Sequence, residues 1–336
     1  MTNAVVELGN KPSRVPKGQE ARPLSSQDRV AANLAQHAVH ARGAYASNTE
    51  RALRSDVATF TAWCVAAGLT ALPALPDTLV RYVDALAGHK APATIRRYLS
   101  SIATFHRAAR VDNPCAAIEV GLALKRLHRE QGRAQVQAAP LIRSLVDRLM
   151  ATAGTDMKGR RDRALLALAY DTLCRRSELV ALGVADIEAG TNGDATVLVA
   201  RSKTDQEGVG MVRYIAPDTR RHIEAWTAAA GITDGALFRS VGRGGRVGGA
   251  LDTGDVARIF KRMAAAAGIS PDTVAGISGH SSRVGAAQDM VRHGVELPAV
   301  MQAGGWRTAE MVGRYTRRLD ARRSGAAKLA ILQNRT

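Results

Sequence analysis

Proline and glycine divide the first 132 residues into short segments with helical periodicity, and this pattern constrains the fold more than any other feature. Between residues 47 and 68, four apolar residues recur at the spacing of one helical face: Leu53, Val57, Phe60 and Cys64. Pro76, Pro92 and Pro114 mark the starts of three further segments, because proline is tolerated in a first helical turn. Residues 27–132 are therefore predicted to form an all-helical domain.

The boundaries of this domain follow from local signals. Residues 1–26 are polar and contain three prolines, which predicts a flexible tail. Ser47 and Glu50 have the spacing of a capping box, in which both side chains satisfy free backbone N–H groups, so a helix is predicted to open there. The segment RAQVQAAP, residues 133–140, has no period and ends in proline, and we interpret it as a linker.

Residues 141–336 are predicted to form a second domain that is mostly helical with a small antiparallel sheet. ATVLVAR (195–201) and GMVRYI (210–215) are typical of two short strands around a polar turn. VGRGGRVGGA (241–250) is interpreted as a glycine-rich loop. It lacks the strand and the Lys-Ser/Thr pair of a phosphate-binding loop, so nucleotide binding is rejected. Helices are predicted at 141–153, 159–173, 175–184, 252–267, 281–294, 296–303, 308–319 and 324–333.

The formal charge of the chain is +17 and its pI is about 10.6, which indicates an anionic partner. No apolar run approaches the ~20 residues of a membrane span, so nucleic acid is favoured over a membrane surface. The three cysteines are widely spaced and have no metal-ligand spacing, which predicts reduced thiols in a cytoplasmic protein and no metal or other cofactor.

Arginines are concentrated on the helices of the first domain. A planar guanidinium suits phosphate oxygens, and several such contacts give strong, salt-sensitive binding to DNA. For any one of these residues, a solvated helix face explains the arginine equally well. The candidates for DNA contact are Arg51, Arg54, Arg96, Arg97 and Arg107.

Phosphodiester chemistry without a metal needs a nucleophile, cations around the phosphate and a proton donor for the leaving oxygen. The second half of the chain contains a set that could supply all three. Each member alone has an ordinary explanation, such as packing for a tyrosine or solvation for an arginine. The set consists of Arg175, Lys203, His280, Arg283, Trp306 and Tyr315.

The order and context of these residues closely resemble the tyrosine recombinase (phage integrase) family. The clearest stretch is SGHSSRVGAAQDMVRHGVELPAVMQAGGWRTAEMVGRYTRRLD, residues 278–320. TLCRRSEL (172–179) resembles the first arginine box of the family, and RSKT (201–204) resembles the hairpin that carries its lysine. TFTAWCVAAG (59–68) and ATIRRYLSSIATFHR (93–107) extend the similarity more weakly, so that it covers roughly residues 45–333.

The resemblance implies a role for each residue. Tyr315 would attack the scissile phosphate and become joined to the DNA 3′ end, while Lys203 would protonate the departing 5′ oxygen. Arg175 and Arg283 would hold the non-bridging oxygens. His280 and Trp306 would complete the phosphate pocket, and Glu178 would orient its neighbours. The phosphotyrosyl link would conserve the bond energy, so neither ATP nor metal would be needed. The positions of Glu178 and Leu179 align this segment with the arginine box of the family, and in that alignment Arg175, rather than Arg176, is the catalytic arginine.

Two features depart from the wider family. Many members have His where this chain has Trp306. The predicted helix 252–267, which we expect to read the major groove, differs from the family member that the chain most resembles in its exposed residues. The target DNA sequence is therefore expected to differ as well. The candidates for DNA contact on this helix are Arg258, Lys261 and Arg262.

The resemblance also implies an architecture and an assembly. The two domains would form a C-shaped clamp on double-stranded DNA with inverted half-sites, as a homodimer on each site and a homotetramer in the synaptic complex. The terminal helix 324–333 would dock on a neighbouring protomer, or pack on its own domain. The function implied is site-specific recombination through a Holliday junction, in a bacterial, nucleoid-associated enzyme of plasmid or phage origin. The alternatives are a non-catalytic DNA-binding regulator and a topoisomerase-like or telomere-resolving enzyme.

Overall fold

The structure, a computed structural model, describes residues 25–134, 136–200, 210–322 and 324–335. The chain divides into two compact units, Met1–Gln135 and Val136–Thr336, and this division lies inside the predicted linker. Among the described residues, no helix has the length and apolar character that crossing a bilayer requires.

The first unit contains five α-helices and a single 3-10 turn among its described residues. Tyr82 lies at the centre of its core, with its ring 5.0 Å from that of Phe60. The predicted segment after Pro114 is interrupted, because residues Pro114–Ala116 form the 3-10 turn before the last helix begins. The helices are α1 (Ser26–His40), α2 (Ser47–Ala66), α3 (Pro76–Leu86), α4 (Pro92–Ala109) and α5 (Ile118–Gln131).

The capping box predicted for Ser47 and Glu50 is wrong. Helix α2 begins one residue earlier than a Ser47 cap would require, so that Ala46 is the N-cap and Ser47 already lies in the first turn. Glu50 instead lies 3.6 Å from Arg54 as an i,i+4 ion pair. A capping box does form at α1, where the side chain of Ser25 accepts from the backbone N–H of Asp28.

A buried carboxylate joins α2 to α4. Asp56 is 1% exposed, and both of its oxygens accept from Nη1 of Arg97, at 2.5 and 2.6 Å. Ser101 also donates to Asp56, at 2.8 Å. A buried charge is tolerated only when it is paired and hydrogen-bonded, so Arg97 contributes to the stability of this unit whether or not it contacts DNA.

Replacing Arg97 with Ala is expected to lower the free energy of unfolding by about 2–3 kcal/mol, because the carboxylate of Asp56 would remain buried without its cation. Arg97 is half exposed, which keeps the loss below that of a fully buried pair. The neighbouring exposed Arg96 is the matched control, and Arg96→Ala should change stability by less than about 0.5 kcal/mol. Urea denaturation measures both, and equal effects of the two substitutions would contradict this account.

The second unit contains ten described α-helices and two short 3-10 turns. Those that surround the candidate site are α7, α8, α12, α13 and α14. The helices are α6 (Arg143–Thr152), α7 (Met157–Thr172), α8 (Arg176–Ala181), α9 (Pro217–Ala230), α10 (Thr253–Ala266), α11 (Pro271–Gly276), α12 (Ser281–Arg292), α13 (Leu297–Gly304), α14 (Ala309–Arg322) and α15 (Gly325–Leu332). Helices α9 and α11 were not predicted.

Two small sheets complete this unit. Strands β1 (Ile187–Ala189), β2 (Ala195–Val199) and β3 (Met211–Ile215) form an antiparallel sheet in that order. Strands β4 (Arg239–Val241) and β5 (Val247–Ala250) pair as a hairpin around residues 242–246. The interpretation of 241–250 as a loop is therefore wrong in part: backbone pairing forms strands even where glycine gives no strand propensity.

The second unit has two buried clusters. The larger one lies around α7 and includes Leu165, Trp226 and Phe260. The smaller one contains Val300, Trp306 and Val312, with Tyr315 packed against it, and it is formed mainly by α12, α13 and α14. Trp306 and Tyr315 are therefore held in place by close packing before any ligand binds.

Candidate active site

Arg175 lies at the start of α8, where the chain leaves α7 through Leu173 in the left-handed conformation, with φ 51°. Its Nη1 donates to Oε1 of Glu178 at 2.6 Å, and its backbone N–H donates to Oε2 at 2.9 Å. Glu178 is 4% exposed, so this charge-assisted pair is held out of water. Glu178 thereby fixes both the backbone and the side chain of Arg175, whereas Arg176 is exposed.

His280 and Arg283 come from the beginning of α12. His280 precedes the helix as its N-cap residue, and Arg283 lies in the first turn. Arg283 is 1% exposed. Its Nη2 donates to the carbonyl of Gly304 at 2.5 Å, and its Nη1 donates to the carbonyl of Leu173.

Trp306 follows a turn that only glycine can form. A Cβ on Gly304 would lie 2.1 Å from the indole ring of Trp306, and Gly305 has φ 60°. The guanidinium of Arg283 lies over this indole, 4.5 Å from the ring centroid, in a cation–π contact. The two glycines thus allow Trp306 to fold back against the turn and beneath Arg283.

Tyr315 lies on α14 with its hydroxyl at His280. The Tyr315 Oη and His280 Nε2 atoms are 2.9 Å apart, which is hydrogen-bond distance. The ring of Tyr315 also lies 5.2 Å from that of Trp306. The one hydroxyl of the predicted set is therefore paired with a group that can take its proton.

Burial and positive charge determine the protonation of His280. Loss of solvent lowers its pKa to about 4, and the cations of Arg283 and Arg175 act in the same direction. Burial and Arg175 likewise lower the pKa of Arg283 to about 10. His280 is therefore neutral at pH 7 and gains a proton only as the pH falls toward 4, so its Nε2 can accept from Tyr315.

This protonation state can be measured directly. NMR titration of the imidazole protons in the DNA-free protein should give His280 a midpoint near pH 4, well below the value of about 6.5 for an ordinary histidine. His280→Gln identifies the signal by its disappearance. A midpoint at or above 6.5 would show that burial and the two arginines do not control this group.

Several buried donors around Tyr315 are unsatisfied within the described part of the chain. The indole Nε1 of Trp306, the Nε of Arg283 and the hydroxyl of Ser282 have no hydrogen-bond partner there. Buried polar groups are almost always paired, so the unpaired donors of Trp306 and Arg283, which lie in contact with each other beside Tyr315, call for a ligand that accepts hydrogen bonds. Sequence reasoning did not single out Ser282.

A second buried arginine lies beside this cluster and was also missed. Arg213, on β3, is 6% exposed and donates to the carbonyls of Thr172, at 2.8 Å, and of Ala303. The signal was present in the sequence, because Arg213 interrupts the apolar side of an alternating strand. Lys203, predicted as the proton donor, lies outside the described residues.

The predicted DNA-contact residues lie on three helices, and all are exposed except Lys261, which is half-buried. Three of those on α2 and α4 have local partners: Arg51 donates to Asn48, Arg54 pairs with Glu50, and Arg107 donates to Thr104.

On α10, Arg258 lies 2.5 Å from Asp255, Lys261 donates to the carbonyl of Ala275, and Arg262 pairs with the buried Asp162. Arg262 therefore has a structural partner as well, while its side chain stays half exposed.

The described residues include no group of three or more His, Cys, Asp or Glu side chains placed to hold a metal ion. Cys64, Cys115 and Cys174 are all free thiols.

The sequence matches a known protein family. The family model described as "Phage integrase family" matches residues 141–322, more than half of the chain. Recombinase cre of Escherichia phage P1 is 29% identical over 305 residues, covering 86% of this chain and 89% of that protein.

Two solved structures share the fold. The Tn1549 transposon integrase in complex with transposon right end DNA has a TM-score of 0.61 at 15% identity, covering 85% of this chain and 94% of that one. A lambda integrase tetramer bound to a Holliday junction has a TM-score of 0.59 at 15% identity, covering 89% and 82%. The chain belongs to the phage integrase family and is a tyrosine recombinase, a DNA strand-transferring enzyme.

Proposed function

We propose that this chain is a site-specific recombinase that breaks and rejoins DNA through a 3′-phosphotyrosyl intermediate made by Tyr315. The observation that carries the proposal is the hydrogen bond between Tyr315 Oη and a neutral His280, beside buried cations and unsatisfied donors. A cleft with this composition suits an anion whose oxygens accept hydrogen bonds and whose charge grows during reaction.

In the first step, Oη of Tyr315 attacks the scissile phosphorus while its proton passes to Nε2 of His280. A free tyrosine has a pKa of about 10, so a base at 2.9 Å is needed near neutral pH. The bond from phosphorus to the 5′ oxygen breaks, and that oxygen takes a proton, which we assign to Lys203. The same steps in reverse, with a 5′ hydroxyl of another strand, rejoin the DNA.

The arginines act on the phosphate itself. Arg175, held by Glu178, and Arg283, held by backbone carbonyls, are fixed before DNA binds, so they lose little conformational freedom on binding it. Nε1 of Trp306 and Nε of Arg283 are buried without a hydrogen-bond partner among the described residues, and we assign phosphate oxygens as their acceptors. Because each phosphodiester is exchanged for a phosphotyrosyl ester, the reaction needs neither ATP nor metal.

The exposed arginines are proposed to contact the DNA. Arg51, Arg54, Arg96, Arg97 and Arg107 would bind the backbone from the first unit. Arg258, Lys261 and Arg262 would lie near the major groove. The target is proposed to be a duplex with inverted half-sites that binds a homodimer, in the bacterial cytoplasm at the nucleoid.

The terminal helix α15 is proposed to join protomers in a tetramer. Leu329, Ile331 and Leu332 are 50%, 66% and 81% exposed, which is unusual for adjacent apolar residues of a short helix. A head-to-tail contact of this kind can close a ring. The tetrameric state of the lambda integrase structure on a Holliday junction supports the same assembly here.

Removing residues 324–336 should reduce assembly on paired sites at least tenfold while half-site affinity stays within about twofold, because the apolar contact would be lost and the DNA contacts kept. Analytical ultracentrifugation with duplex DNA measures the first quantity, and a gel shift measures the second. Gln333→Asp is the control on the same helix end. Unchanged assembly after the deletion would show that α15 packs within its own protomer.

Recombination itself tests the proposed function against the alternative of a non-catalytic DNA-binding regulator. Sites are first selected from a random-sequence duplex library with the Tyr315→Phe variant. Two duplexes of different length that carry the selected site are then mixed with wild-type protein in EDTA without ATP. Recombinant duplexes and a Holliday junction are expected. A shifted complex without any joined product would establish the regulator instead.

A further inference from the structure

Arg213 is a charged residue on the inward side of a strand. In β3 the side chains of Val212 and Tyr214 are exposed, while those of Arg213 and Ile215 are buried. Removing a guanidinium from water is costly unless it gains strong partners. The described residues place no carboxylate within ion-pair distance of Arg213, so its position needs another explanation.

Arg213 connects two backbone turns that Arg283 also connects. Arg213 donates to the carbonyls of Thr172 and Ala303, while Arg283 donates to those of Leu173 and Gly304. Two arginines from separate elements thus bind the same two turns. In each turn, the carbonyl that accepts from Arg213 belongs to the residue just before the one that accepts from Arg283. The first turn leads into Arg175 and the second leads into Trp306.

The surroundings of Arg213 favour its hydrogen bonds to the two turns. A Cβ on Gly305, which has φ 60°, would lie 3.1 Å from Nη2 of Arg213, so glycine keeps the turn close to the guanidinium. The carbonyls of Thr172 and Ala303 lie in the last turns of α7 and α13, where the helix dipole favours a cation. Burial and the nearby positive charge of Arg175 lower the pKa of Arg213. The hydrogen bonds from Arg213 to the two carbonyls therefore form despite the repulsion between the two arginines.

We propose that Arg213 is a positioning residue for strand cleavage, which sets the distance between Arg175 and Trp306 across the phosphate pocket by joining the turns that carry them. This inference rests on the proposed function. Misplacing a reacting group by about 1 Å can cost ~100-fold in rate, so loss of Arg213 should act on cleavage more than on DNA binding.

The experiment measures single-turnover cleavage of a nicked, selected site at saturating DNA, together with half-site affinity. Arg213→Met removes the charge and both hydrogen bonds, which Nη1 donates, and Arg213→Lys keeps a charged donor. The matched control is Arg148→Met, because Arg148 also donates to a helix-end carbonyl, that of Ala267 at 2.6 Å, but at the end of α10. Fluorine NMR of 5-fluorotryptophan protein follows the three tryptophans separately.

Arg213→Met is expected to cleave ~100-fold more slowly than wild type, with affinity within about twofold. Arg213→Lys is expected to cleave ~10-fold more slowly than wild type, and Arg148→Met to cleave as the wild type does. The resonance of Trp306 should shift in both Arg213 variants, while that of Trp226 stays in place. If Arg213→Met does not fold, the cleavage rate and the Trp306 resonance of Arg213→Lys test the inference instead.

Cleavage within about threefold of wild type in both Arg213 variants, or an unshifted Trp306 resonance, would overturn the inference. A loss that Arg148→Met reproduces would overturn it too, since it would reflect stability alone. Failure of the wild type to cleave would instead count against the proposed function.

Discussion

Replacing Tyr315 with Phe is expected to abolish covalent attachment of the protein to DNA, a loss of at least about 10⁴-fold in cleavage rate, because it removes the hydroxyl that is hydrogen-bonded to His280 and that we assign as the nucleophile. The substitution removes one oxygen and keeps the ring that packs 5.2 Å from Trp306. Folding and DNA affinity should therefore be preserved. Cleavage of a nicked site, followed on a denaturing gel, measures the loss.

The matched control is Tyr214→Phe, since Tyr214 is an exposed tyrosine of the same unit on β3. It should cleave at the wild-type rate. Residual adduct with Tyr315→Phe above a ten-thousandth of the wild-type rate would mean that another residue attacks the phosphate. Loss of DNA binding would mean that the hydroxyl has a structural role that the contacts do not reveal.

Replacing Arg175 with Gln should slow cleavage by about 10²–10³-fold at saturating DNA, because one preorganised cation at the developing charge is lost. The adjacent Arg176 provides the control. Its side chain is exposed, whereas that of Arg175 is fixed by Glu178, so Arg176→Gln should stay within about threefold of wild type.

The single variant Arg175→Gln also leaves the carboxylate of Glu178 buried without its cation. The double variant Arg175→Gln/Glu178→Gln removes that charge and separates the two effects. It should recover stability but not cleavage. Recovery of cleavage in the double variant would show that Arg175 acts only by neutralising Glu178 and not on the phosphate.

Much of the fold could be predicted because local signals agreed with tertiary packing. Helix α4 begins at Pro92 and α10 presents Val256, Ile259, Phe260 and Met263 to the core, as helical periodicity requires. Helix α9 was missed although Ile223 and Trp226 have helical spacing, because only Ala216 separates it from the predicted strand that ends at Ile215. The hairpin of β4 and β5 could not be inferred, since its glycines favour no regular structure and pairing alone forms it.

The candidate site could be located from the sequence only through the order of its residues. His280, Trp306 and Tyr315 each have an ordinary explanation when taken singly, and no spacing rule brings α12 next to α14. The roles of Arg213 and of the glycine turn before Trp306 depend on backbone carbonyls, which no side-chain pattern reveals. The exposed DNA-contact candidates stay predictions.

Tyr315 is expected to form a bond to the 3′ phosphate of the cleaved strand. The most direct measurement is mass spectrometry of the peptide-nucleotide adduct trapped on a nicked site and digested with protease and nuclease. One modified peptide is expected, with the phosphate on Tyr315 and the nucleotide attached through its 3′ oxygen. An adduct on another residue, a 5′ linkage, or no adduct from protein that binds the site would contradict it.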